Sequence, residues 1–507
     1  MKKTIKAERH RLWILLLLAT CSASFVCPIP PAVAENYAEK IVFFGKQDEQ
    51  IQVYPASLAI TPDGRNIAYV AKNNKGMFAC FNGKPDTDVW VKIAKGTPVF
   101  NSTGSRAAYS AYDGKKWYVI VDNQKGPAFD NVAKFMFSPD GKHFAYIGKQ
   151  QKAAVIVINH KIGPKYNHIE DLVFSPDSKR FAYSVYDNDS WFVVENKLKT
   201  QKKYALAGSI LYSPDSSHVS YVAKTGKNVF VVMDGVEMPI TGDFIGMTTF
   251  SNDSSRFAYG INSGEKWNLV VDGVKGPDAS LAIQFLFSPD SKSYAYSARF
   301  DGRERLISNG QTLFEYDSID TIVFSQDSAH VACRAVESGN SFVVQNGKPH
   351  PKQYVNIIGP DFILGTSRLY YVGKQEDENR VFVLDGKEGK PFEGIGKPVF
   401  SNSGKRVAYT VEKGDKKFVA IDDNLLGPYD GVRHMGFSPN EKYFAFSAQQ
   451  EGSWFIVING KELNQRFYVL PTGLAVYFPS DTAFHLPIML LKGKDPWLYR
   501  YEVQITP

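Results

Sequence analysis

One position, met again and again along this chain, gathers most of the side chains able to attract an anion. At successive steps it reads Asn66, Arg106, His143, Arg180, His218, Arg256, Ser293, His330, Arg368, Arg406 and Tyr443. Eight of these eleven are Arg or His: Arg106, His143, Arg180, His218, Arg256, His330, Arg368 and Arg406. At one level of a closed architecture they would form a basic ring, a candidate site for an acidic partner or a glycan. The competing reading is local. Each Arg or His would pair with a turn Asp of its own or a neighbouring unit, or cover an aromatic face.

Other chemistry is harder to find. The chain has nine His and four Cys. It contains no His-Glu-x-x-His, no Cys-x-x-Cys and no Asp-x-Asp-x-Asp-Gly calcium loop. There is no Gly-x-x-x-x-Gly-Lys-Ser/Thr phosphate loop. Gly394-Ile-Gly396 runs into Lys397-Pro398 and a strand rather than a helix, so a dinucleotide reading fails. Nearly all Asp residues sit in turns, where bonding nearby backbone is their ordinary work. The sequence therefore nominates no catalytic residue, no metal ligand and no cofactor. Trp117, Trp191, Trp267 and Trp454 recur at a second repeat position. They read as packing between units, with an aromatic rim for sugars or peptides as the alternative.

The elements that must position these residues come from one motif, an apolar residue, Ser-Pro-Asp, and a run to Ala-Tyr. Phe137-Ser-Pro-Asp-Gly-Lys-His-Phe-Ala-Tyr146 and Phe174-Ser-Pro-Asp-Ser-Lys-Arg-Phe-Ala-Tyr183 are clear copies. Others start at Tyr212, Phe250, Phe287, Phe324, Phe400 and Phe437, weaker ones at Ile60 and Phe100, and degenerate ones near Ile363 and Tyr477. The twelve copies are spaced 37 to 40 residues apart, a period that marks a repeat architecture. Pro and Asp at the turn centre suit a type I turn. A second turn is marked by Asn82-Gly83, Asp234-Gly235, Asp272-Gly273, Asn309-Gly310, Asn346-Gly347, Asp385-Gly386 and Asn459-Gly460, which accept the positive φ of two-residue hairpins. Each unit thus predicts four short strands. Consecutive apolar residues such as Phe181-Ala-Tyr183 predict strands buried on both faces, as when sheets stack radially in a β-propeller. A linear β-solenoid is the rival architecture.

The expected fold is all-β, with about twelve four-stranded blades. Twelve is many for one ring, so two six-bladed propellers are expected, over 35–275 and 276–507. Lys40-Ile-Val-Phe-Phe-Gly-Lys46 reads as the third strand of a unit, and chain ends sharing a blade would leave no exposed edge. The Phe-Ser-Pro-Asp-Gly-Lys…Phe-Ala-Tyr unit resembles the WD40-like PD40 repeat of TolB-type propellers, over roughly residues 40 to 490. That resemblance implies a propeller fold and says little of function. TolB-type proteins carry an α/β domain ahead of the propeller, which has no counterpart here. Peptidases with related propellers need a Gly-x-Ser-x-Gly hydrolase domain, also without a counterpart.

Residues 1–34 read as a secretory signal: five Lys/Arg and one Glu, an apolar run from Leu12, and a cleavage pattern at Ala32-Val33-Ala34. The apolar core is short of the roughly 20 residues of a membrane span. Lipid anchoring at Cys21 is a further alternative. Beyond the signal stand 54 Lys/Arg against 51 Asp/Glu, too even a balance for general nucleic-acid binding. Cys80 and Cys333 fall at apolar strand positions and read as buried free thiols. The expected protein is a periplasmic or secreted, non-enzymatic scaffold for a protein or glycan partner of the cell envelope, with no transmembrane span after signal removal. The rivals are a propeller enzyme acting on polysaccharide or peptide from its central channel, and a purely structural envelope component.

Overall fold

The computed structural model describes residues 36–43, 51–61, 65–196, 198–199, 202–422, 424–467, 476–492 and 495–506. The signal reading at 1–34, with Cys21 and Cys27, lies outside the described residues. Among those described, every regular element is a strand. They form twelve antiparallel sheets, numbered 1 to 12 here along the chain, the first eleven each built from consecutive strands. Sheets 2 and 10 count five strands only because their first strand is interrupted, between Lys92–Ile93 and Val99–Phe100 and between Gly394–Ile395 and Val399–Phe400.

Sheet 3 shows why these residues fold this way. Its strands are Asn131–Phe137, Phe144–Gln150, Ala153–Ile158 and Lys161–Tyr166, paired in chain order. Between the first two, the Ser138 N–H donates to the His143 carbonyl and the Gly141 N–H to the Ser138 carbonyl, both at 2.8 Å. Gly141 takes a φ of 72°, so a left-handed residue follows the Pro-Asp pair and turns the chain back. The second hairpin turns on Asn159 and His160, with φ of 47° and 62°.

The second strand explains the lost alternation. Ala145 and Ile147 pack with Ile169, Leu172 and Val185 of sheet 4. Phe144 and Tyr146 pack with Ala108, Val119 and Val121 of sheet 2. Both faces are therefore dry, and both must be apolar. First strands of neighbouring sheets also lie against one another, as His168–Phe174 does on Leu206–Tyr212 and Ser318–Phe324 on Asn356–Phe362. Several fourth strands are short and exposed, for example Lys84–Pro85, Lys348–Pro349 and Lys461–Glu462. First strands are thus innermost and fourth strands outermost, the radial order of a β-propeller. Lys and Pro on the outer strands blunt edges that would otherwise template pairing with another chain.

The chain ends meet. Asn36–Phe43 pairs antiparallel with Asp495–Thr506, from Asn36 opposite Thr506 to Phe43 opposite Tyr499. Sheet 12 therefore runs 477–480, 483–492, 495–506 and then 36–43. The expectation of a third strand around Lys40–Lys46 is corrected: 495–506 occupies the third place, and the amino-terminal segment supplies the outermost strand. At the expected division near residue 275, Leu269 and Val271 share one cluster with Ala279, Tyr296, Ala298 and Ile307. Cys80 and Cys333 are free and buried in separate clusters, as expected. Burial pushes the Cys80 thiol up to about 12, which makes it a poor nucleophile at neutral pH.

Candidate functional site

The site is built from the two turns of each sheet. The residue opening the second hairpin has a left-handed backbone, Asp122 at 50° and Asp272 at 53°, for instance. Its Oδ1 accepts the backbone N–H that starts the second strand: Ala107 on Asp122 at 3.1 Å, Phe144 on Asn159 at 3.1 Å, Leu369 on Asp385 at 3.0 Å. Asn and Asp are favoured there for two reasons, the tolerated φ and this acceptor. The other side-chain atom then faces the candidate ring residue.

Where the ring residue is Arg, that atom is a carboxylate oxygen. Nε of Arg106, Arg256, Arg368 and Arg406 donates to Oδ2 of Asp122, Asp272, Asp385 and Asp422 at 2.7 to 2.8 Å. Arg180 instead reaches Glu195 Oε1 at 3.1 Å, because Asn196 holds the backbone position. Where the ring residue is uncharged, the atom is an amide nitrogen: Asn82 on Asn66 and Asn309 on Ser293. His143 and His330 meet Asn159 and Asn346 through Nδ1, at 2.9 and 2.7 Å. Since each Asn commits Oδ1 to backbone, its Nδ2 donates and the imidazole Nδ1 accepts. His218 meets Asp234 at 2.6 Å, with the imidazole donating.

Each Arg then crosses to the next sheet. Nη1 of Arg106, Arg256, Arg368 and Arg406 donates to the carbonyls of Lys142, Lys292, Gly404 and Glu441 at 2.6 to 3.0 Å. Arg180 donates to the Ser216 carbonyl. Four of the guanidinium groups also lie over aromatic rings of the next sheet: Arg106 over Phe137 and Phe144, Arg180 over Tyr212, Arg256 over Phe287 and Tyr294, and Arg406 over Phe437. His218 and His330 stack near Phe250 and Phe362. The eight candidates thus occupy equivalent places; the five Arg with His218 and His330 reach the next sheet, while His143 pairs with Asn159 of its own sheet. They are brought to partners within the protein, not to one another. The geometry favours the pairing role over the ligand role.

A second rail runs beside the clasps. The backbone N–H of Asp140, Asp177, Asp215, Asp253 and Asp290 donates to Oγ of Ser178, Ser216, Ser254, Ser291 and Ser328 in the next sheet, at 2.9 to 3.0 Å. Those five Ser residues have φ of 61° to 67°, the place Gly takes in sheet 3. Each turn Asp also accepts from its own Ser, as Asp140 does from Ser138 at 2.6 Å. These bonds hold the carboxyls low; Asp253 falls to about 2, through the Ser255 N–H, then the Ser251 and Ser255 hydroxyls. On the opposite face, Lys116, Lys266, Arg303 and Lys416 pair with Asp130, Asp278, Asp317 and Asp430 in the segments that lead to the next sheet. Sequence reasoning missed these Ser and Lys rails. The signal was present as nearly constant offsets, 38 or 39 residues for the Asp–Ser bonds and 12 or 14 for the basic–Asp pairs.

The four Trp residues sit at the start of third strands, and each joins the segment leading to the next sheet by a backbone bridge, such as Trp117 with Phe129 and Trp454 with Phe467. Trp454 is buried in the seam between sheets 11 and 12. Among the described residues, no group of three His, Cys, Asp or Glu is placed to hold a metal ion.

No family profile matches the chain, and no curated protein matches it. Among solved structures it is similar to TolB from Acinetobacter baumannii, 16% identical over 51% of this chain and 76% of that one, TM-score 0.25. It is similar to the propeller domain of the trilobed protease from Pyrococcus furiosus, 12% identical over 54% and 94%, TM-score 0.26. It is also similar to the dihydro-heme d1 dehydrogenase NirN, 11% identical over 60% and 73%, TM-score 0.30.

Proposed function

We infer that the chain is an exported β-propeller of PD40-like repeats that serves as a binding scaffold in the cell envelope rather than as an enzyme. The carrying observation is the division of labour among its polar side chains. The repeated Arg, His, Asp and Ser residues clamp sheet to sheet, while first strands differ freely in what they present, from Lys134 and Glu170 to Phe244. A rigid frame with variable inner residues suits recognition of another macromolecule. Export rests on the signal-like residues 1–34. The test is a pull-down from envelope extract with the full mature chain as bait. A stoichiometric partner is expected. Recovery of none, together with turnover on a glycan or peptide panel, overturns the reading.

The same proposal takes the twelve sheets as one closed ring. Two observations support it: the strand shared by the chain ends, and clusters joining each sheet to the next from 1 to 12 without a break at 275.

A further inference from the structure

On the face opposite the Ser-Pro-Asp turns, the first strands of sheets 5, 6 and 7 begin with large apolar residues that are not covered. Leu206 is 50% exposed, Phe244 59% and Leu281 40%. They occupy one register position, opposite Lys224, Asn262 and Arg299 of their own second strands. Met247, at the bulge in the same strand as Phe244, is 42% exposed. Sheets 5 to 7 adjoin through continuous apolar clusters, so these exposed side chains lie on the inner strands of three successive sheets. Single exposed apolar residues need no explanation, but a run at one register across three sheets marks a contact surface.

The charge beside the patch has a sign. The second-strand row next to it reads Lys72, Lys149, Lys224, Arg299 and Lys374 in sheets 1, 3, 5, 7 and 9. Lys203 precedes Leu206, and Lys227 follows Lys224 in its hairpin; both are exposed. Lys203, Lys224 and Lys227 have no ion-pair partner among the described residues. Arg299 gives one nitrogen to the buried Glu304, and its Nε is buried without a partner. Carboxylates are present at Asp243, which precedes Phe244 and accepts the Gly264 N–H at 3.1 Å, and on the neighbouring hairpins, Glu265 in sheet 6 and Asp301 in sheet 7, but the second-strand row across sheets 5 to 7 reads Lys224, Asn262 and Arg299 with no carboxylate. The patch lies behind the hairpin tips, as Leu206 does behind Thr225–Asn228. A flat bilayer meets the tips first, whereas a single chain segment can enter.

We propose that this patch binds an acidic polypeptide segment, with apolar side chains on Leu206, Phe244, Met247 and Leu281 and carboxylates on Lys203, Lys224 and Lys227. This rests on the scaffold reading above and names the surface and the chemical class of its partner. The probes are two labelled twelve-residue peptides, one alternating Leu with Glu and one alternating Leu with Lys, titrated by fluorescence anisotropy into the full mature chain. The Leu-Glu peptide is expected to bind at least tenfold more tightly than the Leu-Lys peptide, and to weaken as salt rises. Phe244→Ser is expected to weaken it tenfold or more, and Lys224→Glu with Lys227→Glu to reverse the preference. Unchanged melting temperatures of the variants separate lost binding from lost folding. Met247→Gln serves as the second apolar variant if Phe244→Ser does not fold. Equal binding of both peptides, binding of neither, or indifference to the variants overturns the proposal. So does Phe244-dependent sedimentation with phosphatidylglycerol vesicles, or Phe244-dependent self-association, in place of peptide binding. A partner still captured from envelope extract by the Phe244→Ser chain would sink this inference and leave the scaffold reading standing.

Discussion

Arg106 and Asp122, sixteen residues apart in sequence, meet Nε to Oδ2 at 2.7 Å, and the same guanidinium reaches the Lys142 carbonyl of the next sheet at 2.6 Å. One side chain thus closes its own sheet's turns and ties that sheet to its neighbour. The pairing is chemically matched across the repeats. Arg faces a carboxylate, whereas Ser293 and Asn66 face an amide. Asp122→Asn keeps the Oδ1 acceptor for the Ala107 N–H but turns a donor toward the Arg106 donor. With both groups about a third exposed, solvent screening limits the cost to about 1 kcal/mol. Adding Arg106→His is expected to restore part of this, by recreating the His143–Asn159 arrangement. Thermal melts of the two single variants and the double variant measure the coupling; purely additive effects would show that the pair is not a unit.

The serine rail makes a prediction that contacts alone would miss. Ser216 has a φ of 65° and accepts the Asp177 N–H at 2.9 Å from the sheet before it. Ser216→Ala loses that bond, keeps the left-handed backbone, and is expected to cost about 1 kcal/mol. Ser216→Gly loses the same bond but relieves roughly 1 kcal/mol of backbone strain, so it is expected to be close to neutral. In both variants the Asp177 amide should exchange faster with solvent. Equal destabilisation by Ala and Gly would mean the strain is not there.

Acid should loosen the same rail. Asp253 has its carboxyl drawn from 3.8 to about 2 by the Ser255 N–H and the Ser251 and Ser255 hydroxyls. Asp140, Asp177, Asp215, Asp290 and Asp327 are lowered too, most of all by their own turn Ser. A carboxyl depressed in the folded state adds stability that is fully present above 3.8 and is lost as pH falls toward its folded value. Unfolding should therefore set in between about pH 4 and 2, and Ser251→Ala should move it to higher pH. Circular dichroism against pH reads the midpoint; a midpoint unmoved by Ser251→Ala refutes the link.

How much of this was readable beforehand depended on how local the physics was. Ser-Pro-Asp and Asn-Gly announce turns because Pro fixes φ and Asn tolerates the left-handed region within a few residues. Strand number and sheet count followed. Sheet 9 hid its turn, since Ile363-Leu364-Gly365-Thr366 lacks Pro and Asp, yet Gly365 at 77° and the Thr366 hydroxyl on the Ile363 carbonyl rebuild it. The basic position was visible, but its partner was not. Asp122 looks like an ordinary turn residue until the hairpin register sets it beside Arg106. The place of 36–43 was least legible, because its partner strand lies more than 450 residues away in sequence and nothing in its composition names third or fourth position.

That distant strand carries the last prediction. Glu39 accepts from the Tyr501 hydroxyl at 2.5 Å and from the backbone N–H groups of Asn464 and Gln465 at 3.2 and 3.1 Å. It therefore joins sheet 12 to the end of sheet 11. Deleting 36–43 uncovers the edge of 495–506, strands the buried Tyr501 hydroxyl, and exposes a long unpaired strand. Such a chain is expected to aggregate, and to regain solubility when a synthetic 36–43 peptide is supplied. The ring reading extends the expectation to fragments. A chain ending at 275 would bare Leu269 and Val271, which sheet 7 covers in the intact protein, and would lack any partner for 36–43. It should bind a hydrophobic dye and melt without cooperativity, as should 276–507. If either fragment instead gives a sharp melt and a monomeric scattering mass, two independent propellers replace the single ring.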